Sequence, residues 1–345
     1  MTNISIISFS EKGSRLNKML LDSLKNKGYS VKAFSFGKHA IEFGLIKADS
    51  LDLWTKDAFN TCDILLFIGA CGIAVRAIAP HIKDKFNDPA VLVMDEKAKY
   101  VIPILSGHIG GANEFAVVLS EITKGIPVIT TATDINNKFA VDIFAKKNGL
   151  FILEKEMIKV ISSKMLEETD VAFLCDNLKE SRKLPAQLTE KTDGDTCICV
   201  SIYQKNLDFK NILHLIPKKV HIGVGCKKGT DKDRLSGFID GCLAENKIFI
   251  QSVSAVCTID IKKEEKGIID FAKEKKIPLK FYSAEELNSV EGIFSSSKFV
   301  KSITNTDNVC ERAAAACGGR LIVRKISSDG MTFAAACENW SVDFE

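Results

Sequence analysis

The sequence predicts an α/β protein built in three parts. These are an amino-terminal doubly wound, mostly parallel sheet over residues 1–135, a small α+β region over 136–217 and a carboxyl-terminal α/β domain over 218–345. Three observations carry that expectation. A chain of 345 residues exceeds what one small core can organise, and domains of roughly 100–150 residues make it two or three. The run CDILLFI, residues 62–68, is continuously apolar, as strands are when helices cover both faces of a parallel sheet. Finally, a strand, a glycine corner and a helix start follow one another at GACGIAVRAIAP and again at KKVHIGVGCKKGT.

Taken in order, residues 4–9 form a short apolar strand. Ser14 to Lys27 follows with Leu16, Met19, Leu20 and Leu24 at helical spacing, closed by Gly28. Tyr29 to Ser35 reads as a second strand, and the strand ending at Ile68 runs into Gly69 and Gly72, then a helix from Ile73 that stops before Pro80. Arg76 on that helix can offer a charged fork to a carboxylate. Further strands are expected at Ala90 to Met94, Lys99 to Leu105 and Pro127 to Thr130, with Asp88 before Pro89 as a turn residue. The loops after Ile68, Leu105 and Ile129 are expected at one sheet edge, where open α/β sheets hold ligands.

Asn136 to Asn148 reads as a helix, and the pattern then weakens, with strand candidates at Ala172 to Leu174 and Thr196 to Ile202. From Lys218 it sharpens again: a strand, the corner at Gly223 and Gly225, and a helix capped by Thr230 or Asp231 and running to Ala244. The glycine spacing and the missing GK[ST] ending exclude a Walker A loop. Lys262 and Glu265 can pair with each other or reach a ligand. Ser283 and Glu286 form a capping box, Glu311 opens a helix, and two strands, Arg320 to Lys325 and Met331 to Cys337, close the chain.

Composition limits the function classes. Apolar residues make up 46% and charged residues 26%, as in soluble globular proteins, and the formal charge of +3 gives no basic face for nucleic acid. No run reaches the roughly 18 apolar residues of a membrane span. The start, MTNISIISFSEKG, lacks the layout of a secretory signal, so a cytoplasmic location is expected. The eleven cysteines include no CxxC, and the closest pair, Cys197 and Cys199, is expected to face apart on a strand. Disulfides and a protein metal site are therefore not expected, and the thiols are assigned to core packing.

The densest cluster of ligand-type residues lies between Ser106 and Asp134. SGHIGGANE supplies Ser106, Gly107, His108, Gly110, Gly111, Asn113 and Glu114, and PVITTATD supplies Thr130, Thr131, Thr133 and Asp134. Glycines let backbone amides approach a ligand, and short polar side chains aim donors at it. These residues are also ordinary turn formers, so the cluster, rather than any one member, suggests a site.

Together, GACGIAVRAIAP, DPAVLVMDE, SGHIGGANE, PVITTATD, KFAVD, HIGVGCKKGT, TIDIKKEEKG and VCERAAA resemble the cobalt-precorrin-5A hydrolase family of anaerobic cobalamin biosynthesis. The resemblance spans nearly the whole chain and implies a reaction. Water opens the δ-lactone of a cobalt-corrin precursor, and a two-carbon fragment leaves as acetaldehyde. Such chemistry asks for a general base, donors to an oxyanion and an acid for carbon–carbon cleavage. His108, whose unperturbed pKa lies near neutrality, is the first candidate for the base, with Glu114 and Asp134 next. Glu114 is a candidate for orienting His108, and the amides of Gly110 and Gly111 with the hydroxyls of Thr130 and Thr131 are candidates for the oxyanion.

A carboxylate-rich macrocycle further implies basic and amide-lined contacts at Gly69, Gly72, Arg76, Lys85, Gly223, Gly225, Lys227, Lys262, Glu265 and Glu311, with the ligand between the terminal domains. Cobalt arrives within the substrate, so no other cofactor is implied. The expected partner is the cobalt-corrinoid intermediate. Transient contact with neighbouring pathway enzymes and a homodimer remain open, as do two rival readings, a non-catalytic corrinoid carrier and a nucleotide- or sugar-phosphate enzyme.

Overall fold

The computed structural model describes residues 1–84, 87–108, 110–136, 138–178 and 184–344. It divides into two compact units, Met1–Ile143 and Phe144–Glu345. No helix among the described residues is long and apolar enough to cross a membrane.

The first unit is one seven-stranded sheet between helices. Its elements are β1 (Asn3–Ser8), α1 (Glu11–Asn26), β2 (Ser30–Phe36), β3 (Ile46–Ala48), α2 (Leu51–Thr61), β4 (Ile64–Ile68) and α3 (Cys71–Ile78). They continue with β5 (Ala90–Met94), β6 (Tyr100–Leu105), α4 (Ala112–Thr123), β7 (Ile126–Pro127) and α5 (Ala132–Ile135), while α6 (Val141–Lys147) crosses the unit boundary. The strand order is β3-β2-β1-β4-β5-β6-β7. Alternation explains the continuous apolar run of β4. Ile64, Leu66 and Ile68 pack with Leu20, Leu24 and Phe115 of α1 and α4, whereas Leu65 and Phe67 pack with Trp54, Phe59 and Ala74 of α2 and α3. Pairing is parallel from β3 through β5, but β6 lies antiparallel to β5 and carries β7 with it in parallel.

That reversal corrects the expectation of one loop-bearing edge. Val91 pairs with Leu105 and Met94 with Val101, so β6 ends beside the start of β5. The loops after Leu105 and Pro127 leave one edge of the sheet, and the corner after Ile68 leaves the opposite edge. Gly69, Gly72 and Arg76 therefore do not share a crevice with His108.

The second unit opens with a sheet of order β10-β9-β11-β12-β8, formed by β8 (Leu150–Ile152), β9 (Val171–Cys175), β10 (Leu188–Thr189), β11 (Thr196–Val200) and β12 (Asn211–Pro217), with α7 (Met157–Leu166). Only β8 is antiparallel to its neighbour. Cys197 and Cys199 share a face and a cluster with Ala172, contrary to the expectation, because positions two apart on a strand point the same way.

Its other sheet has the order β15-β14-β13-β17-β16. The elements are β13 (Val220–Gly225), α8 (Lys232–Glu245), β14 (Val253–Ile259), α9 (Lys266–Glu274), β15 (Leu279–Tyr282), α10 (Ala284–Ser289), α11 (Lys298–Thr304), α12 (Val309–Ala315), β16 (Arg320–Ser328) and β17 (Met331–Cys337). One face is covered through Leu235, Ile239, Ile268 and Phe271 of α8 and α9, and the other through Cys310, Ala313 and Ala314 of α12. Asp231 caps α8 by accepting from the amides of Asp233 and Arg234, and Ser283 and Glu286 complete the capping box of α10.

Candidate active site

The loop between β6 and α4 folds tightly upon itself. Ser106 sits at φ +54°, a conformation that non-glycine residues adopt at a cost, and its hydroxyl donates to the Asp88 carbonyl at 3.0 Å. Asp88 is fixed in turn, its carboxylate accepting the Lys83 amide at 3.0 and 3.1 Å, in keeping with the structural role expected for it. A Cβ at Gly107 would lie 2.9 Å from the Asn113 side chain, and one at Gly110 would lie 2.6 Å from the Ser106 carbonyl oxygen. The Gly111 amide donates to the His108 carbonyl at 2.9 Å. The Gly111 amide expected for an oxyanion is thus already bonded, and Gly107 and Gly110 serve close approach within the loop itself.

This folding delivers His108 to the segment after β7. Its Nε2 lies 2.9 Å from Asp134 Oδ2 and 3.2 Å from the Thr133 hydroxyl, and its Nδ1 lies 3.6 Å from Asp142 Oδ2. The Asn113 amide nitrogen, from the first turn of α4, donates to Asp134 Oδ2 at 2.6 Å and to the Thr131 hydroxyl at 2.9 Å. Asp142 is buried in the first turn of α6, while 29% of the Asp134 side chain remains exposed. The nearby Asp142 carboxylate is the main cause holding the His108 pKa above the ordinary imidazole value, with Asp134 adding to it and partial burial opposing it. The two carboxylates beside the ring thus favour its protonated form.

The sequence brought His108, Asn113, Thr131, Thr133 and Asp134 to notice, and the structure joins all five. It places Glu114 at an exposed position in the first turn of α4, and the carboxylates on the His108 ring belong to Asp134 and Asp142 instead. Thr130 is exposed just before the Thr131 cap of α5. Asp142 closes the KFAVD motif but had not been singled out, because an acid at a helix start also reads as a dipole partner. At the opposite edge Gly69 lies against the Phe9 ring, Gly72 packs beside the guanidinium of Arg76, and Arg76 is exposed. Lys85 lies outside the described residues.

The second unit holds a cavity of about 960 Å³, near the upper end of small-molecule sites. Ile259, Ile261, Val300, Ile303, Val309 and Met331 line it together with Lys227, Lys228, Lys262, Lys266 and Lys325. Gly225, Lys227, Lys262 and Glu265, four of the sequence candidates, line it. Lys262 Nζ bonds Glu265 Oε2 at 3.1 Å while Glu265 Oε1 accepts the Gly229 amide at 2.8 Å, so this pair shapes the glycine corner.

Gly223 and Glu311 do not reach the cavity as expected. A Cβ on Gly223 would run into the Cys310 carbonyl and lie 2.9 Å from the Ala314 amide, so the glycine lets α12 sit directly on β13. Glu311 is fully buried, accepting from the Lys325 amide at 2.8 Å, the Ser295 amide at 2.7 Å and the Asn308 side chain at 2.9 Å. It anchors the chain around Ser295 to β16.

Comparison with known proteins finds three consecutive matches. Residues 53–134 match the cobalamin synthesis G N-terminal region, 139–217 the cobalamin biosynthesis central region and 220–336 the cobalamin synthesis G C-terminus. The chain is 33% identical over 282 residues to a protein named cobalt-precorrin-5A hydrolase from Priestia megaterium, covering 77% of this chain and 75% of the relative. It is 32% identical over 299 residues to a protein of that name from Salmonella typhimurium, covering 80% and 82%. Among solved structures, a cobalamin biosynthesis protein G homolog from Sulfolobus solfataricus is 24% identical with a TM-score of 0.43, covering 98% of this chain and 97% of the other.

Proposed function

This chain belongs to the cobalamin synthesis G family, and on that premise we propose that it is a cobalt-precorrin-5A hydrolase, opening the δ-lactone of a cobalt-corrin precursor and releasing acetaldehyde. The observation that carries the reading is the His108 ring between Asp134 and Asp142, an acid and a base on one hydrogen-bonded cluster. Both are needed when water attacks a lactone and an alkoxide leaves.

Roles follow from charge and exposure. Asp134, the more exposed carboxylate, takes a proton from the attacking water, whose oxygen ends on the new carboxylate of the product. His108, held protonated, donates from Nε2 to the alkoxide oxygen of the opening ring and is restored by the proton on Asp134. The freed alcohol then gives its hydroxyl proton to the Asp134 carboxylate, its C–O bond becomes the carbonyl of acetaldehyde as the carbon–carbon bond breaks, and the electron pair left on the macrocycle takes up that proton. The geometry thus favours His108 as proton donor rather than as first base, because both ring nitrogens face carboxylates. Asn113 and Thr133 orient Asp134 and the ring. In the second unit, the apolar side chains and lysines that line the cavity suit a macrocycle bearing many carboxylates, and cobalt enters with the substrate.

The test is anaerobic incubation of the purified chain with cobalt-precorrin-5A, reading the corrin product by mass. A product that has gained one water and lost C2H4O supports the hydrolase. Bound but chemically unchanged substrate overturns it in favour of a corrinoid carrier.

A further inference from the structure

A second cluster of chemistry-bearing side chains lies on the α12-covered face of the last sheet. His221 on β13 is opposite Ala255 of β14, and Cys257 lies two residues beyond Ala255, so both project from the face on which Gly223 meets α12. Cys317 arrives from the turn that ends α12. One ligand atom from each of His221, Cys257 and Cys317 lies within 4.8 Å of the others, a separation that a single ion spans. His221 and Cys257 are buried, whereas Cys317 is partly open and gives an entry path.

We propose that His221, Cys257 and Cys317 bind a thiophilic divalent cation, zinc being the natural match for one imidazole and two thiolates. The surroundings fit this assignment. His221 Nε2 lies 2.6 Å from Glu338 Oε1, and such a carboxylate fixes a ligand histidine by taking one ring proton and leaving the other nitrogen to the metal. The other nitrogen, Nδ1, lies 3.0 Å from Ser254 Oγ, whose hydroxyl donates to the Val220 carbonyl at 3.0 Å, so ion binding would exchange the Nδ1–Ser254 contact for a metal bond while Ser254 keeps its carbonyl partner.

The Tyr282 hydroxyl, 3.0 Å from Cys317 Sγ, can donate to that sulfur and steady it as a ligand. Binding displaces the two thiol protons, so the ion and its two thiolates are neutral together, and the exposed Lys280 ammonium, 3.4 Å from Cys317 Sγ, favours the thiolate form of that ligand. Such an ion would tie β13, β14 and the end of α12 together. Sequence spacing could not announce it, because the ligands come from three distant segments rather than from paired short motifs.

The test uses the full chain purified under reducing, anaerobic conditions, stripped with a chelator and titrated with zinc, and with cobalt(II) as a spectroscopic probe. The expected results are about one zinc per chain, a thiolate-to-cobalt charge-transfer band and a zinc-dependent rise in melting temperature. In Cys317→Ser the band should vanish and zinc affinity fall at least 10-fold, with an unchanged far-ultraviolet dichroism spectrum. Cadmium NMR on the wild-type chain gives a reading independent of any variant and should show a two-sulfur environment. A band that persists in Cys317→Ser, a cadmium shift outside the two-sulfur range, or a Cys257–Cys317 cross-link in the reduced preparation overturns the assignment.

Discussion

Asp142 decides what His108 can do. An imidazole facing one carboxylate can still act as a base through its other nitrogen, but Asp134 beside Nε2 and Asp142 beside Nδ1 both favour the protonated ring, which suits the proposed role of donor. The folded-state pKa is raised above the unfolded value of about 6.5, so the stability contributed by this contact is fully present below that value and is lost as pH rises through the raised one. Asp142→Asn removes the largest cause of the shift. The basic limb of the pH–rate profile should move to lower pH, and NMR titration of the His108 ring should show the same displacement; a profile that does not move contradicts the role given to Asp142. The glycine and threonine loops made His108 and Asp134 visible in the sequence. Asp142 was hidden because nothing in an acid at a helix start says which distant ring it faces.

At the scale of elements, the β5–β6 hairpin controls which loops can meet. Only residues 95–99 join these strands, far short of the dozen or more a parallel crossover requires. Asp95 closes the turn by accepting from the amides of Lys97 and Tyr100 at 2.9 and 2.7 Å. The reversal was therefore legible in the connection length, although the glycine corners drew the expectation toward one common edge. Helix placement on β13 shows the opposite case. Gly223 looked like a ligand corner because its sequence context matches one, and only the packing of α12 reveals the steric demand. Gly223→Ala should lift α12 from β13 and cost about 1–3 kcal/mol, as overpacking does, seen as a lower denaturation midpoint. An unchanged midpoint contradicts this close-packing account.

Across the whole molecule, the sheet of the first unit was the most legible because buried parallel strands write continuous apolar runs, as β4 and β5 do. The middle region was faint because β8 and β10 span only three and two residues, too short for a periodic signal. The cavity of the second unit was half legible: Lys227 and Lys262 were noticed as ligand contacts, but Lys266, Lys325 and the apolar residues from α11, α12 and β17 that also line it were not. If the lysines grip carboxylates, Lys227→Ala should raise KM about 5-fold, equivalent to about 1 kcal/mol for a partly exposed ion pair, with kcat nearly unchanged, and the wild-type KM should rise with salt. Equal loss in kcat would place Lys227 in the chemistry instead.

The central claim is that His108 carries protons for lactone opening and acetaldehyde release, and single-turnover acetaldehyde formation from cobalt-precorrin-5A measures it most directly. Wild-type protein should release one acetaldehyde per substrate consumed, and folded His108→Ala should be slowed about 10²–10⁴-fold, the usual range for losing a general acid–base group. Full-rate acetaldehyde release by folded His108→Ala, or none from the wild-type chain with competent substrate, would contradict the account.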